Sequence, residues 1–267
     1  MREVWITYMY EERYVAFIDI LGFKNIVNNT YTIPAEFNRL EQSLKHIESL
    51  KNDNYRDPYG KNWLGMEFTM FSDSIVISYP ASGYGNAFHI LMEIAFICLD
   101  MLDMGYIFRG GITVGALIHK GDICYGPAMN SAVELEKRAK YPRIIIERAV
   151  LEKGVQYPGT ANTPEQEAEY LRYLVLLDSG NFLKGSEQEL ILNYLALYNE
   201  VNDEETYISL ICKTRQLIIG QYRQASFITN VEERRNIQQK YIWFAGYFNY
   251  TVESVFRDYQ QYIILLN

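Results

Sequence analysis

Along the first half of the chain, short apolar runs alternate with longer segments whose apolar residues recur every three to four positions. Residues 14–20 (YVAFIDI) form a β-branched and aromatic run closed by Gly22, which predicts a buried strand. Over 35–50, Phe37, Leu40, Leu44 and Ile47 share one helical face. Residues 67–79 (EFTMFSDSIVISY) hold two β-rich halves around Ser72-Asp73-Ser74 and predict a hairpin with its tip near Asp73. Residues 86–104 are almost wholly apolar and predict a helix covered on most sides. Its most apolar part, 87–102, is broken by Glu93 and Asp100 and is shorter than a bilayer span. A glycine-interrupted strand is predicted at 106–118 (YIFRGGITVGALI), a loop at 121–126 and a helix at 127–139 with Met129, Ala132, Val133 and Leu135 inward. Residues 144–146 and 173–177 predict two more strands, and the polar stretch 51–62 a surface loop.

The resulting order, β-α-β-β-α-β-α-β and a further β, implies an α/β (α+β) fold with a mixed, mainly antiparallel sheet. The split βαβ, or ferredoxin-like, arrangement is the closest small template. After Gly180 the pattern changes. Residues 181–267 lack proline and show no convincing strand, with helices predicted at 188–198 and 204–223. Thr229-Asn230-Val231-Glu232 fits a capping box opening a long helix, whose stripe is Ile237, Tyr241, Phe244, Phe248, Val252, Val255, Tyr259 and Tyr262. That stripe needs a partner: the α/β domain, a neighbouring helix or a second subunit. The chain is thus expected to divide into a core over 1–180 and a helical C-terminal extension over 181–267.

Composition narrows the function classes. The formal net charge of −8 lacks the basic surface that a DNA or RNA binder or a polybasic membrane-surface protein needs. An anionic ligand would therefore require a local device, most simply a metal ion. Cys98, Cys124 and Cys212 have no metal-ligand spacing, and the N-terminus has no apolar signal region. Both fit reduced thiols in a cytoplasmic protein. No Gly-x-Ser-x-Gly elbow, P-loop or His-Glu-x-x-His motif is present.

The candidate chemistry lies in the carboxylates and glycines. Asp19 closes an apolar strand, where a carboxylate must be paired, hydrogen-bonded or holding a cation. Asp73 sits at a hairpin tip that the topology brings near it. Together they suit a hard cation such as Mg²⁺ or Mn²⁺; equally, each would order its own turn. Gly110, Gly111 and Gly115 signal close approach of another backbone or ligand, or a β-bulge. Arg109 reads as a rim ion-pair partner or a phosphate ligand. Asn130 lies in the first turn of its helix, where it would cap that turn or hold a hydroxyl or phosphate. Lys137 projects on nearly the same face, and Glu134 has the spacing to pair with Arg138. His46, His89 and His119 show no ligand spacing.

Taken together, four segments resemble the catalytic domain of class III nucleotidyl cyclases: Phe17-Ile18-Asp19-Ile20-Leu21-Gly22-Phe23, Phe71-Ser72-Asp73-Ser74, Arg109-Gly110-Gly111-Ile112-Thr113-Val114-Gly115 and Tyr125-Gly126-Pro127-Ala128-Met129-Asn130-Ser131-Ala132. The resemblance implies that Asp19, Asp73 and the Ile20 carbonyl hold two divalent ions, Mn²⁺ or Mg²⁺. It implies phosphate against Gly22 and Phe23, and catalysis in a homodimer whose interface forms the sites, with Asn130 coming from the opposite subunit. The purine-recognition positions of that family are occupied here by Thr69 and Ile123. Its usual arginine is replaced by Glu134, leaving Lys137, Arg138 or Arg109 as substitutes.

With the C-terminal segments around Lys240-Tyr241-Ile242-Trp243 and Tyr247-Phe248-Asn249, the combination is similar to the pyrimidine cyclases of bacterial anti-phage signalling. Such enzymes convert a ribonucleoside triphosphate, here UTP in preference to CTP, into a cyclic nucleotide read by a separately encoded effector. A purine cyclase, or an inactive cyclase-like module that binds nucleotide or dimerises, are the alternatives.

Overall fold

The computed structural model describes residues 10–53, 64–201 and 203–266. From residue 54 on, the polar loop expected at 51–62 lies outside them. Strand β1 (Glu11–Ile20) is flanked by β3 (Ser74–Pro80) and β4 (Phe108–Lys120), and β2 (Glu67–Phe71) lies beyond β3. The order β2-β3-β1-β4 with every pair antiparallel is that of a split βαβ fold. Past β4 the sheet continues through β6 (Ile144–Ile146), β8 (Glu189–Leu192) and β7 (Val175–Asp178). Among the described residues only the β4–β6 pair is parallel. The fold is α+β with a mainly antiparallel sheet, as the pattern predicts.

Period-two alternation on β1 separates two faces. Tyr14, Ala16, Ile18 and Ile20 enter the main core, with the buried face of α3 (Asn86–Asp103). Val15 packs instead with Ala128 and Ala132 of α4 (Pro127–Ala139). Asp19 shares the parity of Val15, so its side chain falls on the α4 side.

Elsewhere the pattern misleads. Helices α1 (Phe23–Thr30), α5 (Arg148–Gln156) and α6 (Pro164–Tyr173) are additional, as is β5 (Ile123–Tyr125), which pairs with β4 inside the expected 121–126 loop. Helix α1 is two turns long and has no fully buried residue; its short stripe of Phe23, Ile26 and Val27 rests Phe23 and Ile26 against the core. Helix α6 has a Thr163–Gln166 capping box with Pro164 at its start, a local signal for a helix there. The helix expected at 188–198 is strand β8 followed by two 3-10 turns. There Ile191 finds an open β6 edge opposite Ile145, so tertiary pairing overrides local preference. The expectation of no strand after Gly180 is therefore wrong.

The last two helices are α7 (Glu204–Ala225) and α8 (Val231–Val255). The cap of α8 is Asn230, whose Oδ1 accepts from the Glu232 and Glu233 N–H groups at 3.0 and 3.1 Å; Thr229 does not fill that role. The helix stops at Val255, before Tyr259 and Tyr262 of the expected stripe. Phe244, Phe248 and Val252 join the main core, so the stripe is covered by this chain itself. Trp243 anchors α8 at the sheet edge. Its Nε1–H donates to Asp178 Oδ2 at 2.9 Å, and Arg143 Nη1 donates to the same oxygen at 2.7 Å. All three side chains are fully buried.

Candidate active site

Asp19 is the last polar residue of β1, with Ser74 opposite on β3 and Arg109 opposite on β4. Ser74 Oγ donates to Asp19 Oδ1 at 3.4 Å, and Arg109 Nη2 to Asp19 Oδ2 at 3.4 Å. The hairpin tip delivers Asp73: its carbonyl accepts the Ile20 N–H at 3.2 Å, and Ser72 beside it takes a left-handed conformation (φ 59°). The two carboxylates meet. Desolvation, then a hydrogen bond and charge from Asp73, push the Asp19 carboxyl up to about 6, against the lowering effect of Arg109. Asp19, Ile20, Asp73 and Arg109 thus converge at one end of three neighbouring strands.

A third carboxylate joins them that sequence reasoning missed. Glu136, buried on α4, places Oε1 2.6 Å from Arg109 Nη2. Gly111 of β4 explains how α4 comes so near, and Gly110 how β1 does. A Cβ on Gly111 would stand 2.2 Å from Leu135 Cβ, and one on Gly110 2.5 Å from the Phe17 carbonyl. Close backbone approach, and not ligand contact, is what this pair serves.

Beyond Ile20 the chain turns at Gly22, whose φ of 79° is left-handed and whose carbonyl accepts from Asn25 and Ile26. Phe23 then opens α1. Among the described residues neither the Gly22 nor the Phe23 N–H enters a main-chain hydrogen bond, so both are available to an acceptor.

Thr69 lies away from the carboxylates, in a chain of hydrogen bonds under the β4–β5 turn. Arg13 Nε donates to Ser78 Oγ at 2.9 Å. Ser78 Oγ lies 2.8 Å from His119 Nδ1, and His119 Nε2 lies 2.9 Å from Thr69 Oγ1. Thr69 Oγ1 in turn donates to the Gly121 carbonyl at 2.7 Å. The Gly121 carbonyl can only accept, so the Thr69 hydroxyl spends its hydrogen there and takes the His119 Nε2 contact on a lone pair. Thr69 is left with one lone pair, so it is an acceptor only. Ile123, two residues past Gly121, is 63% exposed on β5.

Asn130 and Lys137 do not join Asp19. Both are exposed on α4, and among the described residues no hydrogen bond or ion pair links either to the aspartates. Glu134 does not pair with Arg138, which instead bonds Glu189 of β8 at 2.7 Å because the sheet edge is in reach.

Two converging carboxylates short of a counter-charge fit a divalent cation, which would relieve the repulsion that raises the Asp19 pKa. Among the described residues no group of three or more His, Cys, Asp or Glu side chains is poised to hold a metal ion. No helix among them is long and apolar enough to cross a membrane. No family model and no curated protein sequence matches this chain.

Proposed function

We propose that this chain is a nucleotidyl cyclase that converts UTP, or less readily CTP, into its 3′,5′-cyclic monophosphate and pyrophosphate. The observation that carries the reading is the meeting of Asp19 and Asp73 at the end of a split βαβ sheet, directly before the left-handed Gly22 turn. Asp19, Asp73 and the Ile20 carbonyl would hold Mg²⁺ or Mn²⁺; bound there, the ions lower the pKa of the ribose 3′-hydroxyl and neutralise phosphate charge. The reaction joins the 3′-oxygen to the α-phosphorus as pyrophosphate leaves. The Gly22 and Phe23 N–H groups would donate to phosphate oxygens. Arg109 holds the Asp19 carboxylate in place.

Thr69, as an acceptor, suits an N–H of the base. Uracil offers such a donor at N3–H and cytosine at its exocyclic amine, so Thr69 serves either pyrimidine. Asn130 and Lys137, which make no hydrogen bond or ion pair with Asp19 among the described residues of one chain, act in trans within a homodimer. The cyclic product serves as a second messenger to a separate effector in anti-phage defence.

The test is incubation of purified protein with Mn²⁺ and each of the four ribonucleoside triphosphates in turn, with products identified by mass. A cyclic pyrimidine product is expected. Cyclic AMP or cyclic GMP as the main product would move the reading to a purine cyclase. One observation favours an inactive module instead: Arg109 already partners both Asp19 and Glu136, and Glu134 stands where a transition-state cation is needed. No cyclic product from any triphosphate would support it.

A further inference from the structure

Next to the Asp19 turn, α1, the start of α2 (Pro34–Asp53), the segment before β4 and the two C-terminal helices enclose a cavity of about 480 Å³. Leu21, Gly22 and Ile107 wall it on the side of the strands, and Gln221 and Lys240 on the side of α7 and α8. Asp19 itself is not in the wall; Gly22 follows it by three residues.

Two cations and one carboxylate face the space. Arg39 is ion-paired to Glu36, so those two cancel. Lys240 has no carboxylate or other hydrogen-bond partner among the described residues, although it is half-buried. Burial pushes its pKa down, and the nearby Arg109 charge adds to the effect. A desolvated ammonium with no ion-pair partner of its own among the described residues is costly unless a ligand supplies the charge. The rest of the wall offers donors: the side-chain amides of Asn25, Asn29, Gln221 and Gln224.

We propose that this cavity is a polyphosphate site, with Lys240 from the C-terminal helix as its cation, taking the β- and γ-phosphates of the nucleotide. Naming the triphosphate tail rests on the cyclase reading; the anion site does not. It gives α8 a chemical role and supplies the positive charge that Glu134 withholds.

The test titrates the full chain with inorganic tripolyphosphate by calorimetry, without metal. Wild type is expected to bind, Lys240→Arg to bind within about threefold, and Lys240→Met to lose at least about tenfold. In anion-free buffer Lys240→Met is also expected to melt higher than wild type, because it removes an uncompensated buried charge. In turnover its KM for UTP rises at least about tenfold.

Equal tripolyphosphate affinity in wild type and Lys240→Met, or no binding by either, overturns the site. Normal cyclic product with unchanged KM in Lys240→Met overturns the assignment of this cavity to the β- and γ-phosphates while leaving the cyclase reading intact. Lys240-dependent tripolyphosphate binding with no cyclic product from any triphosphate upholds the site and removes the cyclase.

Discussion

Glu136 stands 2.6 Å from the Arg109 nitrogen that also reaches Asp19 at 3.4 Å, so the guanidinium favours Glu136 and leaves Asp19 under-compensated. The Glu136 charge itself raises the Asp19 pKa. Glu136→Gln removes that charge and frees Arg109 for Asp19. The pH midpoint of Mn²⁺ binding, followed by calorimetry across pH 5–7, is expected to move down. An unmoved midpoint would separate Glu136 from the site.

Asp19 also sets a pH dependence of stability. Its folded pKa of about 6 lies above the ordinary carboxylate value, so the folded chain holds the proton more tightly than the unfolded chain. The protonated form's contribution is full below about pH 4 and is lost as pH rises through about 6. In chelator, denaturant midpoints should fall across that window. Asp19→Asn should flatten the fall, and Mn²⁺ should reverse it above pH 6.

Gly111 carries a steric prediction. Gly111→Ala would place Cβ against Leu135 of α4, and neither the strand nor the helix backbone yields cheaply. A loss of about 1–3 kcal/mol is expected in chemical denaturation, together with loosening of the Glu136–Arg109 pair.

The ion pair at the sheet edge is a test of how α8 is held. Asp178→Ala leaves Arg143 buried without a counter-charge and Trp243 Nε1–H without an acceptor. The expected cost is about 3–5 kcal/mol. Trp243→Phe, which removes only one donor, should cost less.

The central strands were legible because their alternation is strong and uninterrupted: β1, β3 and β4 follow directly from residues 14–20, 74–79 and 106–118. Asp19 and Asp73 could be placed together because the split βαβ order leaves few other positions for them. Less visible was anything that depends on a partner far along the chain. Glu136 reaches Arg109 because Gly111 lets α4 settle on the sheet. Strand β8 exists because β6 leaves an edge open. Lys240 meets the Asp19 turn only after α8 folds back across the core. None of these carries a local periodicity that could announce it.

The most direct measurement of the central claim is product formation from UTP with Mn²⁺ by wild type, Asp19→Asn and Asp73→Asn side by side. The account predicts stoichiometric cyclic UMP and pyrophosphate from wild type and a loss of at least about a hundredfold in each variant. Equal rates in all three, or no cyclic UMP from a folded wild-type protein, would contradict it.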